Sequence, residues 1–228
     1  MDRPDDSNVR FLSLASHELR GPLATVRSYA ALLASPRFSL DAKVLASVQV
    51  MLRNVDRALA SWELLAEAWR LDTDGLLLDL RDEDLLPPLQ ASAETAASTA
   101  RERSVRLEVA LPPSLPPLRV DLERIQLVLA GAWAHVLERS RSGAVAGLTA
   151  RTDAGGCELT FWDSGSPLTP EGETHAFDWR WQAVRGHELG SAFRMALGGA
   201  LVQAHGGRAQ VGSLSGRTLF QFMLPGAR

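Results

Sequence analysis

In the N-terminal third of the chain, Leu12, Leu19, Val26 and Leu33 return every seven residues, with Leu23 and Ala30 interleaved three or four positions away. That repeat keeps one stripe of an α-helix apolar. Leu45, Val48, Leu52, Val55, Leu59, Trp62, Ala66 and Trp69 then step by three and four without a break, which predicts a second long helix. Between the two, Ala34-Ser35-Pro36-Arg37-Phe38-Ser39 supplies a proline that ends the first helix and a serine, Ser39, suited to cap the second. The predicted unit is an antiparallel helical hairpin. Two helices cannot enclose a core alone, so the stripes ask for a second hairpin, most simply from a second copy of the chain. We expect a homodimeric four-helix bundle.

After Leu71-Asp72-Thr73-Asp74-Gly75 the period changes, which separates a hairpin domain at residues 1–72 from a second domain at 73–228. Leu76 to Leu80 reads as a strand, Leu85 to Arg103 as a helix, and Val105 to Leu111 as a strand alternating Val105, Leu107, Val109 and Leu111. Pro112-Pro113-Ser114-Leu115-Pro116-Pro117 reads as a stiff connector. A helix over Asp121 to Ser140 follows, then strands over Val145 to Arg151 and Cys157 to Trp162 across an Ala154-Gly155-Gly156 turn. A helix over Ser191 to His205 and a hairpin of Arg208 to Leu214 with Thr218 to Leu224 close the chain. Strands interleaved with helices on one face make an α/β sandwich, and the chain as a whole is α+β.

Composition narrows the function classes. With 228 residues, 46% of them apolar, and a formal charge of −3, the chain has room for one or two cores and calls for no nucleic-acid partner. Cys157 is the only cysteine, so a disulfide framework or a cysteine-built zinc site within one chain is excluded, which fits a cytoplasmic setting. No apolar run approaches the roughly 20 residues needed to cross a bilayer. Any membrane-associated region would therefore lie outside this chain, and a start at Met1 so close to the first helix suggests that an upstream region was removed. Lys43 is the only lysine, which excludes a Walker-type phosphate loop.

Candidate chemistry begins at Ser16-His17-Glu18-Leu19-Arg20-Gly21-Pro22-Leu23. A phosphoryl-accepting imidazole needs one ring nitrogen free to attack and the other held by an acceptor; His17 and Glu18 fit those roles. His17 falls beside the apolar stripe, so its ring is expected to look outward. Pro22 lies inside the helix and removes a bond to the Glu18 carbonyl, which predicts a kink beside the histidine. The octapeptide resembles the H-box of the sensor histidine kinases of two-component systems.

The second domain is similar to the ATP-binding domain of that family, the Bergerat fold. The matching pieces are Val120-Asp121-Leu122-Glu123-Arg124-Ile125-Gln126-Leu127-Val128-Leu129 leading into the N-box helix, Asp163-Ser164-Gly165 opening the first glycine box, and Ala204-His205-Gly206-Gly207-Arg208 before the final hairpin. The resemblance implies a dimer in which ATP with magnesium phosphorylates His17, with Glu18 as orienting base, and the phosphoryl group passes to an aspartate of a response regulator receiver domain. It implies that the Asp163 carboxylate accepts the adenine amino group, and that His135, Gly165, Gly190, Arg194 and Thr218 stand at the other nucleotide-binding positions.

Several positions depart from the family pattern. The N-box helix of the family presents two asparagines four residues apart that help hold magnesium; here they are Gly131 and His135, and the only asparagines are Asn8 and Asn54. A neutral imidazole replaces an amide oxygen poorly for so hard a cation, so no metal site is assigned. Asp163-Ser164-Gly165-Ser166-Pro167 loses the last glycine of its box, and Gly190-Ser191-Ala192-Phe193-Arg194 keeps one glycine of three. Arg194 either pairs with phosphate or is a surface residue of a helix that binds no nucleotide. Residues Pro167 to Gly190 take the place of the family's mobile lid, where Phe177, Trp179 and Trp181 read as packing residues. Gly21, four residues after His17, has no hydroxyl or amide to orient a water for dephosphorylation. Three readings follow: a working kinase core, a degenerate kinase acting as a dimeric phosphotransfer module, or an interaction scaffold.

Overall fold

The computed structural model describes residues 6–73, 76–153, 156–185 and 189–226, and the chain divides into two compact units, Met1–Leu76 and Leu77–Arg228. In the first, α1 (Asp6–Leu33) and α2 (Ala42–Asp72) form the hairpin. α1 runs through Pro22 without interruption and closes on a turn in which Ala34 N donates to the Ala30 carbonyl at 3.0 Å, ahead of Pro36. The cap of α2 corrects the expectation: Asp41, not Ser39, is the N-cap, its carboxylate accepting from Lys43 N at 2.8 Å and Val44 N at 3.0 Å. Ser39 sits too far ahead of the first turn for its hydroxyl to serve as that cap.

Two ion pairs register the helices. Arg20 meets Glu63 at 3.3 Å and Arg27 meets Asp56 at 2.6 Å, so seven residues forward on α1 are seven back on α2, as antiparallel packing requires. Both pairs are exposed and add little stability. Ala30 and Val48 are buried, whereas Leu19, Val26 and Leu33 stay 47%, 50% and 41% exposed. The heptad row of α1 is therefore left uncovered by α2.

The second unit is built on a five-stranded sheet in the order β2-β4-β5-β7-β6, formed by β2 (Arg106–Ala110), β4 (Val145–Asp153), β5 (Gly156–Asp163), β6 (Arg208–Leu214) and β7 (Arg217–Pro225). β2 runs parallel to β4, and the other pairs are antiparallel. The β5–β7 register sets Asp163 directly opposite Thr218. A separate ribbon pairs β1 (Arg81–Glu83) with β3 (Leu118–Val120). This corrects two sequence expectations: Leu76 to Leu80 is not a strand, Leu77 being 86% exposed, and the proline-rich connector leads into β3, whose Leu118 and Val120 are fully buried.

Helices α3 (Leu86–Glu102), α4 (Leu122–Arg139) and α7 (Ser191–Ala204) pack together, with α4 and α7 against the sheet. Ile125, Val128 and Val136 of α4 are buried, as are Phe161, Phe220 and Phe222 of the sheet. Trp133 stands edge-on to Phe161 at 5.2 Å. Two short helices lie in the lid segment where the sequence pattern showed none, α5 (Pro170–Thr174) and α6 (Trp179–Arg185).

The capping geometry has a direct test. Asp41→Ala should lower stability by about 1 kcal/mol, measured as a shift in urea midpoint, while Ser39→Ala should leave the midpoint unchanged.

Candidate functional site

α4 starts on Asp121, a buried N-cap that accepts from Arg124 N at 3.3 Å. From there the helix carries Gly131, His135 and Arg139 at intervals of four, one above the other on a single face. That face looks onto the ends of β5 and β7 and the start of α7, and two clusters form along it.

The first cluster centres on Asp163, which has no exposed surface. Arg139 Nε donates to Asp163 Oδ2 at 2.9 Å, and Arg139 Nη2 reaches Thr218 Oγ1 at 3.2 Å and the Ser166 carbonyl at 2.5 Å. Gly165 N donates to Asp163 Oδ1 at 2.8 Å. The guanidinium also lies 5.8 Å from the centre of the Phe220 ring. A buried carboxylate without a cation would carry a large desolvation cost, which pairing with Arg139 offsets. Arg139 stands in the last turn of α4, where the helix dipole favours positive charge. Gly165 is needed for close approach, since a Cβ there would lie 2.6 Å from the Arg139 carbonyl oxygen and 2.7 Å from Asp163 Oδ1.

The second cluster joins α4 to α7. A Cβ on Gly131 would come within 2.9 Å of the Arg194 carbonyl oxygen, so the α7 backbone fills the place an asparagine side chain would need. His135 Nδ1 lies 3.1 Å from Ser191 Oγ, and its ring stands edge-on to Phe220 at 5.0 Å. Burial, and after it the Arg139 charge, push the His135 pKa down to about 3. The imidazole is therefore neutral throughout the physiological range. Gly190 N-caps α7 in extended conformation, φ −74° and ψ −172°, with no side-chain capping bond. Arg194 lies in the first turn of α7 and brings its backbone to this cluster.

Aromatic residues of the segment between β5 and α7 pack on the sheet and on α7. Phe177 is edge-on to Phe220 at 6.4 Å and to Phe222 at 5.5 Å, and it lies so near Gly199 that a Cβ there would meet its Cδ1 at 2.5 Å. Trp179 is edge-on to Phe193, and Trp181 stacks on His175 with ring centres 4.6 Å apart. Trp181 N donates to Asp178 at 3.0 Å, a bond that holds the Asp178 carboxyl below the usual carboxylate range. Each of these aromatic residues has a different partner: the sheet for Phe177, α7 for Trp179 and His175 for Trp181.

The structure thus brings Asp163, Gly165 and Thr218 into one cluster and His135, Gly190 and Arg194 into the other. The sequence reading missed Arg139, Ser191 and the site of Phe177; the available signal for Arg139 was its spacing, one helical turn after His135. His17 and Glu18 lie on α1, but their side chains are outside the described residues. The donor set does not suit magnesium with ATP. Gly131 offers no side-chain ligand, and Nδ1 of His135 is engaged by Ser191.

Residues 7–61 match the His Kinase A (phospho-acceptor) domain. Sensor histidine kinase MtrB of Mycolicibacterium paratuberculosis is 29% identical over 174 residues, covering 76% of this chain and 31% of that protein. Sensor histidine kinase TrcS of Mycobacterium tuberculosis is 32% identical over 241 residues, covering 96% of this chain and 45% of that protein. The chain therefore spans less than half the length of either relative. The crystal structure of full-length ShkA in complex with AMPPNP superposes with a TM-score of 0.73 at 24% identity, covering 96% of this chain and 47% of that one. Hairpin, sheet domain and relatives together define a sensor histidine kinase core. The chain belongs with the sensor histidine kinases of two-component signalling, with a phospho-acceptor hairpin followed by a domain of the catalytic ATPase fold.

The His135 environment yields a pH dependence. Its folded pKa of about 3 lies below the ordinary 6.5, so between those values the unfolded chain binds a proton that the folded one does not. The contribution is intact above the ordinary value and lost as pH falls toward the folded one. At about pH 5 the wild type should have lost about 2 kcal/mol that a His135→Gln variant retains, read from urea titrations of both at about pH 7.5 and about pH 5.

Proposed function

We propose that this chain is a dimeric histidine phosphotransfer module of two-component signalling whose own nucleotide site is closed by protein contacts. The observation that carries this reading is the occupancy of Asp163: both carboxylate oxygens, which the family resemblance assigns to adenine, are already bonded by Arg139 and Gly165. The α7 backbone at Gly131 and the Phe177 ring against the sheet support it.

In this reading His17 carries the phosphoryl group, and Glu18 fixes the imidazole tautomer. The bound phosphate leaves by breaking the N–P bond as an aspartate oxygen of a response regulator receiver domain forms the new O–P bond; the reverse transfer loads His17. The phosphoryl donor is a partner. Residues 1–72 act as the dimerisation and phosphotransfer hairpin and residues 73–228 as a Bergerat-type sandwich. The uncovered row of Leu19, Val26 and Leu33 supplies the apolar face that a second hairpin would bury. No described helix is long and apolar enough to cross a membrane, and we place the module on the cytoplasmic side of a sensor.

A second reading, ATP-dependent autophosphorylation of His17 by this chain, is favoured by the likeness to ShkA, which was solved with AMPPNP. It requires Arg139 to leave Asp163. Incubation with γ-labelled ATP and magnesium beside a His17→Gln control separates the two. We expect no acid-labile label on the wild type, and label on His17 after mixing with a phosphorylated receiver domain. Direct labelling from ATP would establish the second reading instead.

A further inference from the structure

We infer that Arg139 is a built-in substitute for a nucleobase: its guanidinium occupies the hydrogen-bonding seat formed by Asp163, Thr218 and Ser166, and holds that seat closed. This rests on the reading above and names the side chain responsible for it.

The geometry is that of a bound ligand. An adenine edge would offer a carboxylate one neutral amino donor. Arg139 offers a cation whose Nε and Nη2 point at the two Asp163 oxygens, at 2.9 and 3.5 Å, with Nη2 shared by Thr218 Oγ1 and the Ser166 carbonyl. The guanidinium carbon lies 5.8 Å from the centre of the Phe220 ring, within cation–π reach. The surrounding backbone is fitted to it, because Gly165 alone allows the turn after β5 to lie on the Arg139 carbonyl. The contrast with the hairpin is instructive. Arg20 and Glu63 keep 60% and 50% of their side chains exposed, whereas Arg139 keeps 16% and Asp163 none.

Charge decides the competition. A guanidinium on a buried carboxylate makes charge-assisted bonds that a neutral amino group cannot match, and its departure would strand the Asp163 charge. The seat as built therefore selects cationic planar donors, guanidinium or amidinium, over a neutral base. It accepts a base only after Arg139 is gone.

The experiment uses the full chain and two probes, adenosine and methylguanidinium chloride, each titrated while the melting temperature is followed. Wild type should respond to neither. Arg139→Ala should melt lower than wild type and be raised by both probes, with adenosine binding on the order of tenfold or more tighter than to wild type. Should Arg139→Ala fail to fold, Arg139→Gln keeps a neutral donor beside Asp163 and leaves the carboxylate in place, and it should bind adenosine more tightly than wild type. Adenosine binding wild type as tightly as the variants would overturn the inference. Rescue by methylguanidinium without any response to adenosine would also overturn it, since Arg139 would then be a structural ion pair only. Labelling of wild-type His17 by ATP would defeat the phosphotransfer reading itself. An unlabelled wild type beside adenosine-blind variants would defeat only the role given to Arg139.

Discussion

A carboxylate sealed from water must keep a cation, and in this chain that cation comes from the protein. Asp163 ends a buried central strand, opposite Thr218, and its charge is answered by Arg139 from the last turn of α4. The helix end, the turn through Gly165 and the start of β7 are organised around this pair, and the region lines the face of α4 that also carries Gly131 and His135. Removing either partner would leave a buried charge alone, which is far costlier than losing a surface ion pair. Under the proposed function the pair ties nucleotide access to folding, since freeing Asp163 would leave its charge buried and unpaired.

The same replacement of ligand by protein recurs along α4. At Gly131 the carbonyl of Arg194 takes the space of a side chain, and at His135 burial and the neighbouring guanidinium keep the ring neutral while Ser191 engages one nitrogen. Phe177 then covers Phe220 and Phe222 from the lid. Each contact is modest by itself. Under the proposed function, they take the places that the family resemblance assigns to adenine and metal, while His17 and Glu18 remain in the phospho-acceptor hairpin.

Much of this was legible in the chain because it depends on local pattern. The three-four spacing marked both hairpin helices, and the absence of asparagine from the second domain set Gly131 and His135 apart from the family pattern. Alternation marked β2, β4, β5 and the closing hairpin to within a few residues. The parts that escaped depend on partners distant in sequence. β1 and β3 are short and exist only through each other, and Arg139 is one arginine among many until the fold sets it on Asp163, 24 residues away. Ser39 looked like a cap because it lay near the helix start, but the side chain that reaches the free amides is Asp41. The heptad row of Leu19, Val26 and Leu33 read correctly as apolar; its exposure shows that α2 does not cover it.

The central claim is that Arg139 stays on Asp163 when nucleotide is offered. The Arg139 Nε–H signal in a proton–nitrogen correlation spectrum, assigned by comparison with Arg139→Lys, reports this directly. The account predicts a slowly exchanging resonance that keeps its position when ATP with magnesium is added to saturation. A signal that shifts or broadens into solvent exchange on that addition would contradict it.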